Sequence, residues 1–240
     1  MEVASDTGHS NHRSADGPSI VVGEVSCCGA PIPDQQFGPK RAAADLRRYR
    51  RRGPLPTTAL LLRGLAVNLP APATLLDIGG GVGVLHHELL DRGVSHAWEV
   101  DPSAAFLRAA AEEAERRGHA GRVEFIHAEV RQAADRLPVV DVVTLDRVVC
   151  CDPDYESLLR IALGKAQRIF AYSYPRARWG IRAVTALQNA VRTLRGSQFR
   201  VFVHSPDRME ALVRAAGFDR IFQARSAIWY AGVYTRAAPA

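Results

Sequence analysis

Cysteine is scarce in this chain: 4 among 240 residues, arranged as two adjacent pairs, Cys27-Cys28 and Cys150-Cys151. Neighbouring side chains rarely point the same way. Neither pair has the spacing of a zinc knuckle, so a four-thiolate metal site is not expected. Free thiols, no metal and a reducing compartment are expected instead. Long apolar runs are missing too. No stretch approaches the roughly 18 residues of a membrane span, and the N-terminus lacks the basic, then apolar, then small-residue order of a secretion signal. A cytoplasmic protein without a membrane partner is the expectation. There is no aromatic-interleaved sheet, zinc-finger or winged-helix pattern. Nucleic acid is therefore not the expected partner, although the formal net charge is +6. Much of the surplus lies in Lys40–Arg52, where seven basic residues face one acid, Asp45.

What remains is ordinary globular composition, with 47% hydrophobic and 23% charged residues, and a length that suits one well-buried domain. Residues 1–35 are rich in Gly, Ser, Pro, Asp and His without a period and read as a mobile tail. Residues 36–72 read as a helical cap. One helix runs from Gly38 to Arg52, with Leu46 and Tyr49 on its apolar side. Gly53-Pro54-Leu55-Pro56 breaks it. A second, capped by Thr57 or Thr58, continues to about Leu69 and presents Leu61, Leu62, Leu65 and Leu69.

Residues 73–240 alternate between strand and helix. Thr74–Ile78, Ser95–Asp101, Val123–Ala128, Asp141–Leu145 and Ala166–Ser173 are short apolar strands separated by helical stretches. That pattern predicts a parallel sheet covered on both faces. The period changes after Pro175. Trp179–Arg195 fits an amphipathic helix within an insertion at about 176–197. Phe199–Val203 is extended, Pro206–Ala216 helical, and Ile221–Ser226 with Ile228–Tyr234 fits a tight antiparallel edge.

Gly79, Gly80, Gly81 and Gly83 fall where the first of these strands hands over to a helix. Ligands bind at the carboxyl ends of strands in such sheets, and glycine lets a ligand approach the backbone. Asp77 sits inside the strand end, where a buried acid needs a partner: loop N–H groups or a cationic amine. Asp101 ends the next strand and can accept both hydroxyls of a ribose. Glu99, two residues earlier, shares that strand side. Glu129 follows the third strand and can accept from an adenine amino group. The loop spacing is G-x-G-x-G, with Val84 where a dinucleotide fingerprint has its last glycine. Pyrophosphate would also be repelled by Asp77. No Gly-Lys-Ser or Gly-Lys-Thr supports a phosphate loop. An adenosine carrying an ammonium tail fits better.

The series L-L-D-I-G-G-G-V-G, E-V-D-P-S and F-I-H-A-E resembles the motifs of class I S-adenosylmethionine-dependent methyltransferases over about residues 55–236. The resemblance implies a Rossmann-like fold, with a mostly parallel seven-stranded sheet and an antiparallel last strand behind the N-terminal helical cap. It implies S-adenosyl-L-methionine as cofactor. Asp77, Gly79, Gly80, Gly81 and Gly83 would then wrap the methionine part, Asp101 would hold the ribose, with Glu99 as the alternative, Glu129 would meet the adenine, and Pro102, Val130 and Leu145 would also contact the cofactor. Ala128-Glu129 stands where many members have Gly-Asp.

Thr144-Leu145-Asp146-Arg147 does not match the Asn/Asp-Pro-Pro-aromatic motif of DNA amino-methylating members. The segment instead resembles a bacterial small-molecule subgroup in which it ends Cys-Cys-Tyr-Pro-Asp; Asp152 replaces that tyrosine. Some similar sequences carry a magnesium-protoporphyrin label, but no motif here explains porphyrin binding. A small-molecule acceptor is therefore expected, with oxygen ahead of nitrogen and carbon. RNA or protein methylation and a cofactor-binding protein without turnover are the alternatives. A homodimer is compatible with the sequence.

A hydroxyl acceptor needs a base, and His204, Asp146 and Tyr174 are the candidates. Tyr49 on a lid-like first helix, Arg147, Tyr172 and Trp179 are the candidate acceptor wall. Tyr172 and Tyr174 flank Ser173 and so share one strand side.

Overall fold

The computed structural model describes residues 20–22 and 37–237. Its strands are β1 (Ile20–Val22), β2 (Ala73–Ile78), β3 (Val94–Asp101), β4 (Val123–His127), β5 (Val140–Leu145), β6 (Ala166–Pro175), β7 (Phe218–Arg225) and β8 (Trp229–Arg236). They form a sheet in the order β1-β4-β3-β2-β5-β6-β8-β7. β2 to β6 run parallel, and β8 runs antiparallel to both β6 and β7. Seven strands thus make the expected sheet, and β1 extends its far edge along β4. β1 falls within the expected mobile tail. The rest of that tail, including Cys27-Cys28, lies outside the described residues.

Helices cover both faces. They are α1 (Pro39–Arg52), α2 (Pro56–Ala66), α3 (Val84–Leu90), α4 (Ala104–Arg117), α5 (Val130–Ala133), α6 (Tyr155–Lys165), α7 (Trp179–Leu194) and α8 (Pro206–Ala215). The alternation of strand side chains sorts the core into two layers. Leu75, Val142, Ile169 and Ala171 face α2, α3 and α4, where they meet Leu61, Leu65, Leu85, Leu89 and Leu107. Leu76, Val143, Leu145, Phe170 and Tyr172 face the other way, against Leu158 and Leu159 of α6 and Met209 and Val213 of α8.

Local chemistry accounts for several element ends. Ser103 caps α4 by accepting from the Phe106 N–H, and Gly118 closes it in the left-handed region. Asp154 caps α6 through the Ser157 N–H. The second helix starts earlier than expected. Pro56 occupies its first turn with Leu55 at the cap, and no threonine side chain caps it.

α1 packs Ala42, Leu46 and Tyr49 against Val82, Phe106 and Ala109. α7 behaves oppositely. None of its residues is buried. Ile181, Thr185, Asn189 and Arg192 line its partly covered side, while Val184, Leu187, Val191 and Leu194 face solvent. The segment after α7 forms no strand. It is tied down by Asn189, which bonds the backbone of Val201 through both side-chain polar atoms, and by the Phe202 N–H on the Cys150 carbonyl (2.7 Å).

Candidate active site

The turn from β2 to α3 is shaped by what lies beneath it. Gly79, Gly81 and Gly83 all adopt positive φ. The Gly79 N–H bonds the Val100 carbonyl at 2.8 Å, and the Gly81 N–H reaches Asp101 Oδ2 at 3.3 Å. Gly80 is a glycine for a different reason. A Cβ there would stand 2.6 Å from Asp77 Oδ2 and 2.9 Å from Glu99 Oε1. Two buried carboxyls already fill the space a side chain would take.

Asp77 is held by the Thr144 hydroxyl, which donates to Oδ1 at 2.8 Å, and by His86 Nδ1 at 3.2 Å from Oδ2. Burial pushes its pKa up to about 6. Asp101 closes β3 and accepts from the Ser103 N–H at 2.7 Å. Burial raises it to about 7. Glu99 is fully buried, and neither of its carboxyl oxygens has a hydrogen-bond partner. Burial, then the neighbouring Asp101 and Asp77, hold it well above the usual carboxylate range. Burial also lowers His86 to about 3, so it stays neutral between these acids. The loop is thus backed by carboxyl groups lacking a buried cation, which suits a ligand that brings positive charge.

Above the loop lies a cavity of about 300 Å³. Asp77, Gly79, Gly80 and Gly81 form its floor. Asp146, Arg147, Cys150 and Cys151 close one side, and Arg41, Asp45 and Arg48 of α1 border another. Phe37, Phe106, Phe199, Val201, Arg192 and Trp229 complete the wall. Asp146 accepts from the Thr58 hydroxyl at 2.5 Å and from the Ser173 hydroxyl at 2.6 Å. Burial raises its pKa. Ser173 also accepts from the Arg147 N–H at 2.9 Å. The Cys150 and Cys151 thiols are free and both face the Arg147 carbonyl.

The structure brings Asp77, Gly79, Gly80, Gly81, Asp146 and Arg147 to one cavity; Gly83 and Asp101 stand just outside its lining, and other candidates lie elsewhere. Tyr172 and Tyr174 do share a strand side, but it is the opposite one. Tyr172 is fully buried and stacks on Tyr174 beneath α8. Tyr174 borders a separate cleft with Arg176, Asp207 and Glu210. Ser173 between them is fully buried on the other side of the strand, where it holds Asp146. Trp179 is 86% exposed at the start of α7. Tyr49 lies in the α1–α4 packing and donates to Glu88 Oε1 at 2.8 Å. His204 is not in the cavity wall. Its Nε2 ties the 149–152 turn through the carbonyls of Val149 (3.1 Å) and Asp152 (2.9 Å), and its ring stacks on Tyr155 and Phe202. Leu145 points into the core. Glu129 is exposed at the start of α5, Val130 is buried behind it, and Pro102 lies beside His127, whose Nε2 is 3.1 Å from its carbonyl.

Thr58, Ser173, Arg192, Phe199 and Trp229 were not legible as site residues. Only Ser173 carried a signal, its phase between two tyrosines. The others come from segments far apart in the chain.

The sheet order, the glycine loop over a buried acid and the acid closing the next strand define a class I S-adenosylmethionine-dependent methyltransferase fold. Residues 75–167 match the family described as "Methyltransferase domain". No curated protein matches it in sequence. It is similar in structure to magnesium protoporphyrin IX methyltransferase from Synechocystis with bound SAH, at 15% identity and TM-score 0.65, over 85% of this chain and 97% of that one. An O-methyltransferase family protein from Burkholderia thailandensis gives 17% identity and TM-score 0.67, over 85% of this chain and 60% of that one. An O-methyltransferase family 2 protein from Planctomyces limnophilus, in complex with apigenin, gives 16% identity and TM-score 0.60, over 82% and 61%. No helix among the described residues is long and apolar enough to cross a membrane.

Proposed function

We propose that this chain methylates an oxygen of a small molecule, as a member of the bacterial small-molecule subgroup, within the cavity between the glycine loop and Asp146. The single supporting observation is that a carboxylate of raised pKa stands in the same 300 Å³ cavity as the Asp77–Gly81 floor. That size suits a small-molecule site. S-adenosylmethionine supplies, when bound, a methyl group activated by a positively charged sulfur. Asp77, Gly79, Gly80 and Gly81 would hold its amino-acid end and Asp101 its ribose hydroxyls. The orphaned Glu99 oxygens and the raised Asp77 fit a cationic ligand in this place.

The chain's own contribution is positioning and one proton. Transfer is an in-line displacement, so holding the acceptor oxygen opposite the leaving sulfur supplies much of the rate. Asp146 takes the hydroxyl proton as the new carbon–oxygen bond forms. Thr58 and Ser173 fix the carboxylate's orientation, and its raised pKa brings it nearer the operating pH. Phe37, Phe199 and Val201 exclude water from the mouth. Two of the similar structures are O-methyltransferase family proteins, which favours oxygen over nitrogen.

Incubation with methyl-labelled donor and fractionated cell extract tests this reading. Label in a low-mass fraction, retained as a base-stable ether or lost as methanol from a base-labile methyl ester, is the expected result. Label confined to RNA or protein would overturn it.

A further inference from the structure

Arg147 is a residue out of place. Among the described residues it is the one non-glycine at positive φ (65°). A long side chain rarely adopts this conformation, which persists only where the surroundings impose it. Here they do. Ser173 receives the Arg147 N–H, and the Cys150 and Cys151 thiols face its carbonyl. The result is a guanidinium at the cavity wall, exposed and 5.6 Å from the centre of the Trp229 ring.

Arg192 is its counterpart. It projects from α7 into the same cavity, lies 5.4 Å from the centre of the Phe199 ring, and donates to Asn189 Oδ1 at 3.0 Å. Neither arginine forms a salt bridge with a carboxylate among the described residues. The other two arginines bordering the cavity are engaged elsewhere: Arg41 pairs with Asp45 at 2.9 Å, and Arg48 donates to the Gly53 carbonyl at 3.1 Å. An aromatic face beneath a guanidinium holds its plane and leaves its N–H edge available to fork a carboxylate.

We propose that Arg147 and Arg192 clamp an anionic group of a planar aromatic acceptor, so that the substrate class is an aromatic acid rather than a neutral phenol. The proposal rests on the methyl-transfer reading above. Phe37, Phe106, Phe199 and Trp229 supply apolar flanks for a flat ring. Asp146 would repel a carboxylate brought against it, so the anion sits at the arginine side. The oxygen to be methylated, a hydroxyl on the same ring, faces Asp146.

Calorimetry on the full chain saturated with S-adenosylhomocysteine tests the clamp. The probes are naphthoate, indole-3-carboxylate and para-coumarate, each paired with its neutral carboxamide. At least one acid should bind, with its amide tenfold weaker or worse. Arg147→Met and Arg192→Met should each erase most of that preference while S-adenosylhomocysteine affinity stays within twofold. Acids and amides of equal affinity, no acid binding at millimolar concentration, or a preference unchanged in both variants would overturn the clamp. If S-adenosylhomocysteine itself fails to bind, the underlying reading falls. If it binds and the acids are not preferred, only the clamp falls.

Discussion

The two ends of the cavity are built on different principles. At the cofactor end, backbone does the work. Three glycines at positive φ, and a fourth whose Cβ would strike Asp77 and Glu99, bring the main chain over buried carboxyls. At the acceptor end, long side chains converge from α1, the 146–151 turn, α7, the 199–201 segment and β8. The first end is tied to the sheet through Val100 and Asp101. The second includes α7, none of whose residues is buried. On the proposed reading, cofactor binding is held by packing, and acceptor choice by parts that can vary without disturbing it.

The largest effects are expected at the cofactor end. Asp77→Ala removes the acid beneath the loop and should cost S-adenosylhomocysteine binding about 2–3 kcal/mol, roughly a hundredfold, by calorimetry. Binding within threefold of the parent would remove Asp77 from the site. Gly80→Ala should also lose at least about tenfold in affinity, because the added Cβ would meet carboxylate oxygens at 2.6 and 2.9 Å. Gly164→Ala, in α6 with nothing within 4 Å of the new Cβ, is the control. It should leave affinity alone and stabilise by up to about 1 kcal/mol.

At the acceptor end, Asp146→Asn should lower kcat on the identified acceptor by roughly a hundredfold. Affinity for S-adenosylhomocysteine should stay within twofold, the split that separates a proton acceptor from a cofactor ligand. Tyr172→Ala sharpens the contrast from the opposite face. As a core ring it should cost about 3–5 kcal/mol of stability in denaturant melts, with the affinity of the folded fraction unchanged. A selective loss of acceptor binding would return Tyr172 to the site.

The smallest effect is a pH dependence. In the ligand-free chain, Asp77 is raised to about 6 and Asp101 to about 7. Both therefore favour the protonated native state, and keeping them ionised costs stability progressively as pH rises above the ordinary carboxylate range towards these values. A ligand ammonium and ribose hydroxyls favour the ionised forms and offset that cost. The thermal shift produced by S-adenosylhomocysteine should thus grow from pH 5 to pH 8, corresponding to at least about tenfold in affinity. A flat or falling shift would contradict the placement of these acids.

The same contrast explains what could be read from sequence. Glycines between a strand and a helix, with Asp77 and Asp101 at strand ends, announce a backbone-built site. The alternation of strands and helices locates β2 to β8 to within a few residues, but not the edge strand β1, which lies in the stretch that reads as a mobile tail. The acceptor end was misread through phase. Tyr172 and Tyr174 were correctly put on one side of β6, but nothing local says which side faces the cavity. Only the packing of Phe170 and Tyr172 against α8 decides that, and Ser173 takes the position behind Asp146. His204 suited a base by residue type, yet its Nε2 is committed to two carbonyls of a neighbouring turn. Thr58 looked like a cap because Pro56 two residues earlier was assigned to the break, not to the helix's first turn.

The most direct measurement is a crystal structure of the chain with S-adenosylhomocysteine. The account predicts the amino-acid end over Gly79–Gly81 near Asp77, and the ribose hydroxyls on Asp101. Ligand bound in another cleft, or lying over the glycine loop with both acids turned away from it, would contradict the claim.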